Sequence, residues 1–403
     1  MRELKGEWRD LFNGFSVALD LKKLMIGFIG VVLSLGIYIA GPIFLANVTN
    51  RGLWEEFALR SPASWCNVYC SAWQVIFTFP LFWQSITIAV LYLLLVVIWS
   101  YCGGVITRIA AINLTKDEGL ELSKASSFAG KKYLAYFSPW IVCILGFFFF
   151  WLWNFLGGLA GRIPYVGEFL ITIFLPLAIL SGFIMLFIFI GSLFGATMFF
   201  PTISVEGSDS FDALSRSFSY LYAKPWHYFW YQLVAFVYGA ITTAFVWAFG
   251  YFMIVVSLWA GAVGMGGKFT VIANYLNIGG QFAFFNSITG LDLAHNWLPP
   301  PDQNYTPITA FGVPIAPLIL AVWLILVVGF ILAYAISYCW SSQTIIYLLM
   351  RKKVDEIDVK EVYEEQEEEV VSSEQAPSTP AVPEPPKPAE GTPGTSATGD
   401  AKT

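Results

Sequence analysis

The sequence predicts an all-α fold, a polytopic membrane bundle of about six transmembrane helices. Of its 403 residues, 57% are hydrophobic and only 12% are charged, whereas globular domains carry about 25% charged residues. Six apolar runs are each longer than the ~20 residues that a helix needs to cross the hydrocarbon core. A third observation, an arrangement of residues that recurs along the chain, predicts that the helices form three parallel repeats with cytoplasmic amphipathic elbow helices.

The predicted spans follow the apolar runs. They cover approximately residues 24–46, 83–106, 134–160, 169–197, 226–256 and 315–340. The first run is too long for the ~7–15-residue apolar region of a signal peptide. With six spans, most Lys and Arg residues lie on the side of the two termini, and the opposite side receives Arg51, Arg60, Arg162 and Lys268. The positive-inside rule therefore predicts a bacterial cytoplasmic (inner) membrane protein with both termini in the cytoplasm.

The recurring arrangement precedes the third and fifth spans. At a spacing of 92 positions and without gaps, six residues match: Leu122, Ser123, Ser127, Lys132, Tyr136 and Phe137 correspond to Leu214, Ser215, Ser219, Lys224, Tyr228 and Phe229. Residues 1–23 predict a comparable amphipathic helix before the first span, because one helical face collects Trp8, Leu11, Phe12, Phe15 and Leu19. Each predicted unit is then one elbow helix followed by a span that leaves the cytoplasm and a span that returns.

The elbow before the fifth span contains several candidate interface residues. Asp209 is its predicted N-cap, and the segment Thr115–Glu118 fits a capping box at the preceding elbow. Leu214 and Phe218 lie on the predicted buried face, together with Phe211 and Leu221. This face is expected to pack against the membrane domain.

Charged residues at the predicted cytoplasmic boundary form a second group. Arg108 is the basic residue nearest the hydrocarbon and is expected to extend to lipid phosphates. Glu206 is expected to form a structural ion pair with Arg216 or Lys224, and Lys23 is expected to face headgroups.

Loops and the carboxyl-terminal tail complete the predicted organisation. Cys66 and Cys70, in the external loop 47–82, either form a disulfide across a turn or remain free thiols. In the second external loop, 262–313, residues 269–291 are expected at the outer membrane–water boundary. Residues 351–403 are acidic and then Pro-rich, and they predict a disordered cytoplasmic tail.

These patterns restrict the function more than they define it. The sequence contains no recognisable catalytic constellation, metal site or cofactor motif, and no basic stripe for nucleic acid. The middles of the spans carry no charged residue, which argues against ion-coupled transport. We therefore predict a non-catalytic organising or complex-partner protein that contacts membrane lipids and binds a protein partner through its tail. The alternative is a permease or flippase for an apolar or lipid-like substrate, and a lipid-modifying enzyme is less favoured. The oligomeric state stays open.

Three stretches also suggest a family. The chain resembles uncharacterised multi-pass membrane proteins of planctomycete-type bacteria in FSVALDLKKL (15–24), GGVITRIAA (103–111) and PTISVEGSDSFDALSRSFSYLYAKPWHYFWY (201–231). The resemblance covers most of residues 1–350. More distantly, the elbow before a Trp-led span is similar to the membrane domain attached to some glycerophosphodiester phosphodiesterases, without their catalytic domain. The resemblance implies an inner-membrane location and assigns no activity or site residues.

Overall fold

The computed structural model of the chain describes residues 4–49, 81–116, 119–275, 299–310 and 313–363. In these residues six helices are long and apolar enough to cross a membrane. The predicted all-α, multi-pass helical bundle is therefore confirmed. The predictions for Cys66 and Cys70, for most of the two external loops and for residues 364–403 lie outside the described residues.

The six long helices are joined by shorter elements. The long helices are α2 (Leu21–Thr49), α3 (Leu81–Lys116), α5 (Tyr133–Ala160), α6 (Val166–Glu206), α8 (Pro225–Met265) and α10 (Ile315–Asp355). The shorter elements are a 3-10 helix (Trp8–Asn13), α1 (Gly14–Ala18), α4 (Leu122–Lys131), α7 (Ser210–Ala223), α9 (Gly267–Tyr275) and two antiparallel strands, β1 (Thr309–Ala310) and β2 (Val313–Pro314).

Several long helices extend well past the predicted spans. α3, α6 and α10 continue beyond the predicted ends at 106, 197 and 340 to Lys116, Glu206 and Asp355. A helix of 41 residues such as α6 is about 60 Å long, twice the ~30 Å of a hydrocarbon core. Hydropathy marks only the apolar part of such a helix, so the polar extensions were missed.

Buried residues concentrate at one end of the bundle, which we call the core end. Residues 102–113 of α3, 198–205 of α6 and 341–351 of α10 are all buried there. By contrast, nearly all residues from 144 to 180, in α5 and α6, are exposed on the protein surface. This contrast suits a membrane protein, because apolar side chains that face lipid gain little from packing against other helices.

The amino-terminal segment differs from the single amphipathic helix predicted for residues 1–23. It forms the 3-10 helix and the five-residue α1 instead, and α2 begins at Leu21. The Asp10 carboxylate accepts the backbone N–H groups of Gly6 and Glu7, at 2.7 and 3.1 Å. Asp20 then accepts the N–H of Lys22 at 3.0 Å at the start of α2. Side chains that bond the nearby backbone favour turns and helix starts over a continuous helix.

The starts of α4 and α7 differ from the two predicted helix caps. Thr115 lies in the last turn of α3 and donates to the Ala111 carbonyl at 2.8 Å, so the predicted capping box is wrong. Asp209 is the residue before α7, as predicted, but its side chain makes no capping hydrogen bond. α4 starts instead after Glu121. Both short helices therefore begin without the side-chain cap that the sequence suggested.

α7 packs with a face slightly rotated from the predicted one. Its fully buried residues are Ala213, Ser217, Tyr220 and Leu221, whereas Leu214 and Phe218 are half-buried and Phe211 is 70% exposed. The Phe218 ring lies against Gly191 and Gly195 of α6. A Cβ on Gly191 would stand 2.6 Å from this ring, so the small residues serve close packing within the chain.

Candidate functional site

The carboxylate of Glu206, at the end of α6, is the centre of a charge cluster at the core end. It lies 2.7 Å from Arg216 Nη1 and 3.4 Å from Arg351 Nε. The Tyr347 hydroxyl donates to the same carboxylate. The predicted pair with Arg216 is therefore present, whereas Lys224 donates instead to the Lys353 carbonyl at 2.5 Å. Glu206 thus ties α6 to both α7 and α10.

Groups on α7 that belong to this cluster or lie beside it have shifted pKa values. Burial alone lowers the pKa of the Arg216 guanidinium, but the hydrogen bond that it donates to Asp212 and the charge of Glu206 outweigh it and raise that pKa above its usual value. Burial, together with the Asp355 carboxylate that accepts its hydroxyl, raises the pKa of Tyr220. Arg216 therefore keeps its charge and Tyr220 keeps its proton across the physiological pH range.

Arg108 is buried within the protein and does not extend to lipid phosphates as predicted. Its Nη1 donates to the Ser204 carbonyl at 2.7 Å, and its Nη2 donates to the Tyr363 carbonyl at 2.9 Å. The guanidinium also stands 4.1 Å above the centre of the Phe128 ring. The prediction was wrong because α3 continues beyond Arg108 and the carboxyl-terminal segment covers it.

Lys23 also departs from its predicted place at the headgroups. Its side chain is fully buried, and its Nζ lies 3.5 Å from Ser341 Oγ on α10. The neighbouring Asp20 accepts an amide N–H of Asn113 on α3 at 3.0 Å. These contacts join the start of α2 to α3 and α10. The residues are far apart in the sequence, so only the folded chain brings them together.

A chain of hydroxyl groups lies beside Arg108. Thr107 Oγ1 is 2.6 Å from Ser204 Oγ, and the Tyr136 hydroxyl is 2.8 Å from the same Ser204 oxygen. All three side chains are fully buried. The chain links α3, α5 and α6, and each of its three hydroxyls has at least one hydrogen-bond partner. Tyr136 is one of the repeat positions that the sequence reveals, but its contact with Ser204 and the role of Thr107 could not be predicted from the sequence.

Lys132 and Asp209 form a more exposed contact. Lys132 Nζ lies 3.3 Å from Asp209 Oδ1, and the Asp209 side chain is 87% exposed. Ion pairs in contact with water contribute about 0–1 kcal/mol. This pair therefore orients the connection between α6 and α7 without holding it strongly.

The segment after α10 folds back over the core end, and we call residues 356–363 the strap. The side chain of Val359 is buried in the apolar cluster that includes Tyr220 and Leu349. The Tyr363 N–H donates to the Val205 carbonyl at 2.7 Å, and Arg351 Nη1 donates to the Glu361 carbonyl at 2.7 Å. The predicted tail boundary at 351 is therefore too early, since the compact unit extends to Tyr363.

An apolar cleft lies away from the core end, between α5 and α6. It encloses about 560 Å³ and is lined by residues such as Trp153, Gly157 and Phe174. Near it, Ser181 Oγ donates to Asn154 Oδ1 at 2.8 Å. The cleft is thus a lipid-like environment with one internally paired polar contact.

These features define a multi-pass helical membrane protein whose polar groups are gathered at one end. Among the described residues, no group of three or more His, Cys, Asp or Glu side chains could hold a metal ion. Comparisons with protein-family models, curated proteins and solved structures found no match. Arg216, Arg351 and Tyr347 all contact the Glu206 carboxylate, so the cluster is suited to holding helices together.

Replacing Glu206 tests this structural role. We expect Glu206→Leu to lower the free energy of unfolding by about 3–5 kcal/mol, because it leaves the buried Arg351 without its carboxylate. Glu206→Leu combined with Arg351→Leu should recover part of this loss by removing the unpaired charge. Thermal unfolding of the detergent-solubilised protein compares the two variants with the unmodified chain.

Asp212→Ala is the matched control, since it removes a carboxylate that pairs with the same Arg216 at 3.1 Å but is about half exposed. It should cost less than about 1 kcal/mol. A Glu206→Leu protein that is as stable as Asp212→Ala would contradict the central place of Glu206.

Proposed function

We infer that this chain is a non-catalytic membrane protein of the bacterial inner membrane that organises a complex there. The observation that carries the inference is the charge cluster, in which the Glu206 carboxylate pairs with Arg216 and Arg351. Buried charges that serve a substrate are usually left with an open coordination position or a cavity beside them. Here they join α6, α7 and α10, and we propose that this end of the bundle carries the tail and its partner.

The positions of three lysines support a cytoplasmic location for the core end. Lys132, Lys224 and Lys353 all lie at the core end through the contacts described above. Basic residues favour the cytoplasmic side of a membrane. The core end, and with it both termini, is therefore assigned to the cytoplasm of the inner membrane, in keeping with the resemblance to planctomycete-type membrane proteins.

Residues that match at the 92-residue spacing support a parallel arrangement of the repeat units. Phe128 and Tyr220 correspond in the 92-residue register, and both are buried. Tyr136 and Tyr228 also correspond and are equally buried. Each of α4 and α7 leads through one lysine into a spanning helix. We assign these two short helices to amphipathic elbows that lie along the inner leaflet.

The tail supplies the docking arm of the proposal. It follows Tyr363, which the strap holds at the core end, and it contains the acidic run Glu364, Glu365, Glu367, Glu368 and Glu369 before the Pro-rich part. Acidic and Pro-rich segments bind partners while remaining unfolded by themselves. A tail that starts from a fixed point at the core end places its partner at the membrane surface.

Affinity capture tests the docking arm. We expect the full chain to co-purify a protein partner that a chain lacking residues 364–403 does not retain. A variant with the five acidic residues replaced by Gln separates the contribution of charge from that of the Pro-rich part. Partners that are identical with and without the tail would refute the docking role.

A second candidate, a permease or flippase for a lipid-like substrate, is favoured by the cleft between α5 and α6. Gly157 lines the cleft, and a Cβ added there would meet no atom within 4 Å, so Gly157→Leu adds a side chain at the cleft without a backbone clash. If the protein moves lipids, proteoliposomes should scramble labelled lipid, and Gly157→Leu should slow this at least tenfold. Gly182→Leu, at an equally open position that is not part of the cleft, is the control. Scrambling no faster than in protein-free liposomes would exclude this candidate.

A further inference from the structure

The strap lies on a surface formed by Arg108, Val205, Gly207 and Arg351, which we call the strap groove. The groove holds the strap mainly through its main chain. Val205 accepts the Tyr363 N–H, while Arg108 and Arg351 donate to the carbonyls of Tyr363 and Glu361. Recognition of main-chain groups at fixed spacing is how proteins bind extended peptides in general.

Val359, Glu361 and Tyr363 of the strap contact the groove or its surroundings, and Val362 packs against the same apolar cluster as Val359. Val359 enters the apolar cluster, and the Glu361 carboxylate lies 3.8 Å from Arg351 Nη2. The Tyr363 ring packs directly against Gly207, where a Cβ would have no room. Gly207 also has a φ of 63°, which favours glycine. The groove therefore selects an apolar, an acidic and an aromatic residue in that order.

The backbone is strained at the residue where the strap begins. Glu356, its first residue, has a φ of 59°, a left-handed conformation that non-glycine residues rarely adopt. Of the eight residues 356–363, Val359 alone is buried. The strap carries no helix of its own, so its departure would break no helical hydrogen bond.

An empty groove would remove acceptors from two buried cations. Arg108 and Arg351 are 5% and 7% exposed, and each would lose one carbonyl acceptor if the strap left. Arg108 would keep the Ser204 carbonyl and Arg351 the Glu206 carboxylate, but losing an acceptor of a buried donor is unfavourable. The groove is therefore suited to exchanging one peptide for another and not to remaining open.

We propose that the strap groove is a peptide-binding site and that residues 356–363 are its exchangeable occupant, which the same sequence supplied in trans can replace. The ligand class is an acidic peptide with the spacing valine, glutamate and tyrosine found in DVKEVY, residues 358–363. The proposal does not depend on the docking role of the tail, because it concerns residues that precede the acidic run.

The test uses the full chain in nanodiscs and a fluorescent peptide of residues 356–363. In the variant Val359→Asp the strap is weakened while every residue of the groove is retained. We expect this variant to bind the peptide at least tenfold more tightly than the unmodified chain, whose tethered strap competes at high effective concentration. Fluorescence anisotropy measures the binding, and unlabelled peptide should displace the probe.

A peptide that itself carries Val359→Asp is the matched control and should not bind. Thermal unfolding shows whether the Val359→Asp chain keeps its fold. A folded variant that does not bind the peptide, or that binds both peptides equally, would overturn the proposal. Loss of the fold in Val359→Asp would also overturn it, because the strap would then be part of the core and not an occupant.

Discussion

The structure depends on the pairing of one carboxylate, that of Glu206, with two arginines from other helices. Moving a charge out of water costs several kcal/mol per ion even after relaxation, so a charge at this depth requires its partners. Arg351 of α10 and Arg216 of α7 meet this requirement only if the ends of α6, α7 and α10 coincide. The ion cluster thereby fixes how far each helix is inserted relative to its neighbours.

The spanning segments alone would not fix that arrangement. Their lipid-facing residues gain little from contact with one another, because lipid tails are as apolar as the side chains. The helices α5 and α6 illustrate this, since residues 144–180 are almost entirely exposed to their surroundings. Specific polar contacts at the core end, such as the Thr107, Ser204 and Tyr136 hydroxyl chain, instead determine which helices meet.

The sequence predicts the number of spans well, because hydropathy responds to the same apolar length that a bilayer requires. It also predicts the pair of Glu206 and Arg216, which are close in sequence. The pair of Glu206 and Arg351 and the bond from Arg108 to Tyr363 were missed because each joins residues more than a hundred positions apart. The acidic composition also led to a predicted tail start at residue 351, which is too early. A few apolar residues among many acids are enough to hold the strap against the core end.

We propose that the polar end of the bundle lies in the cytoplasm, and the proposed docking role of the tail depends on that side. Single cysteines at Ser219, Lys353 and Tyr165, in a chain without other cysteines, test it directly with a membrane-impermeant thiol reagent on spheroplasts. Ser219 and Lys353 should react only after the cells are broken, whereas Tyr165, which is 88% exposed between α5 and α6, should react on intact cells. Labelling of Ser219 or Lys353 on intact cells would contradict the account.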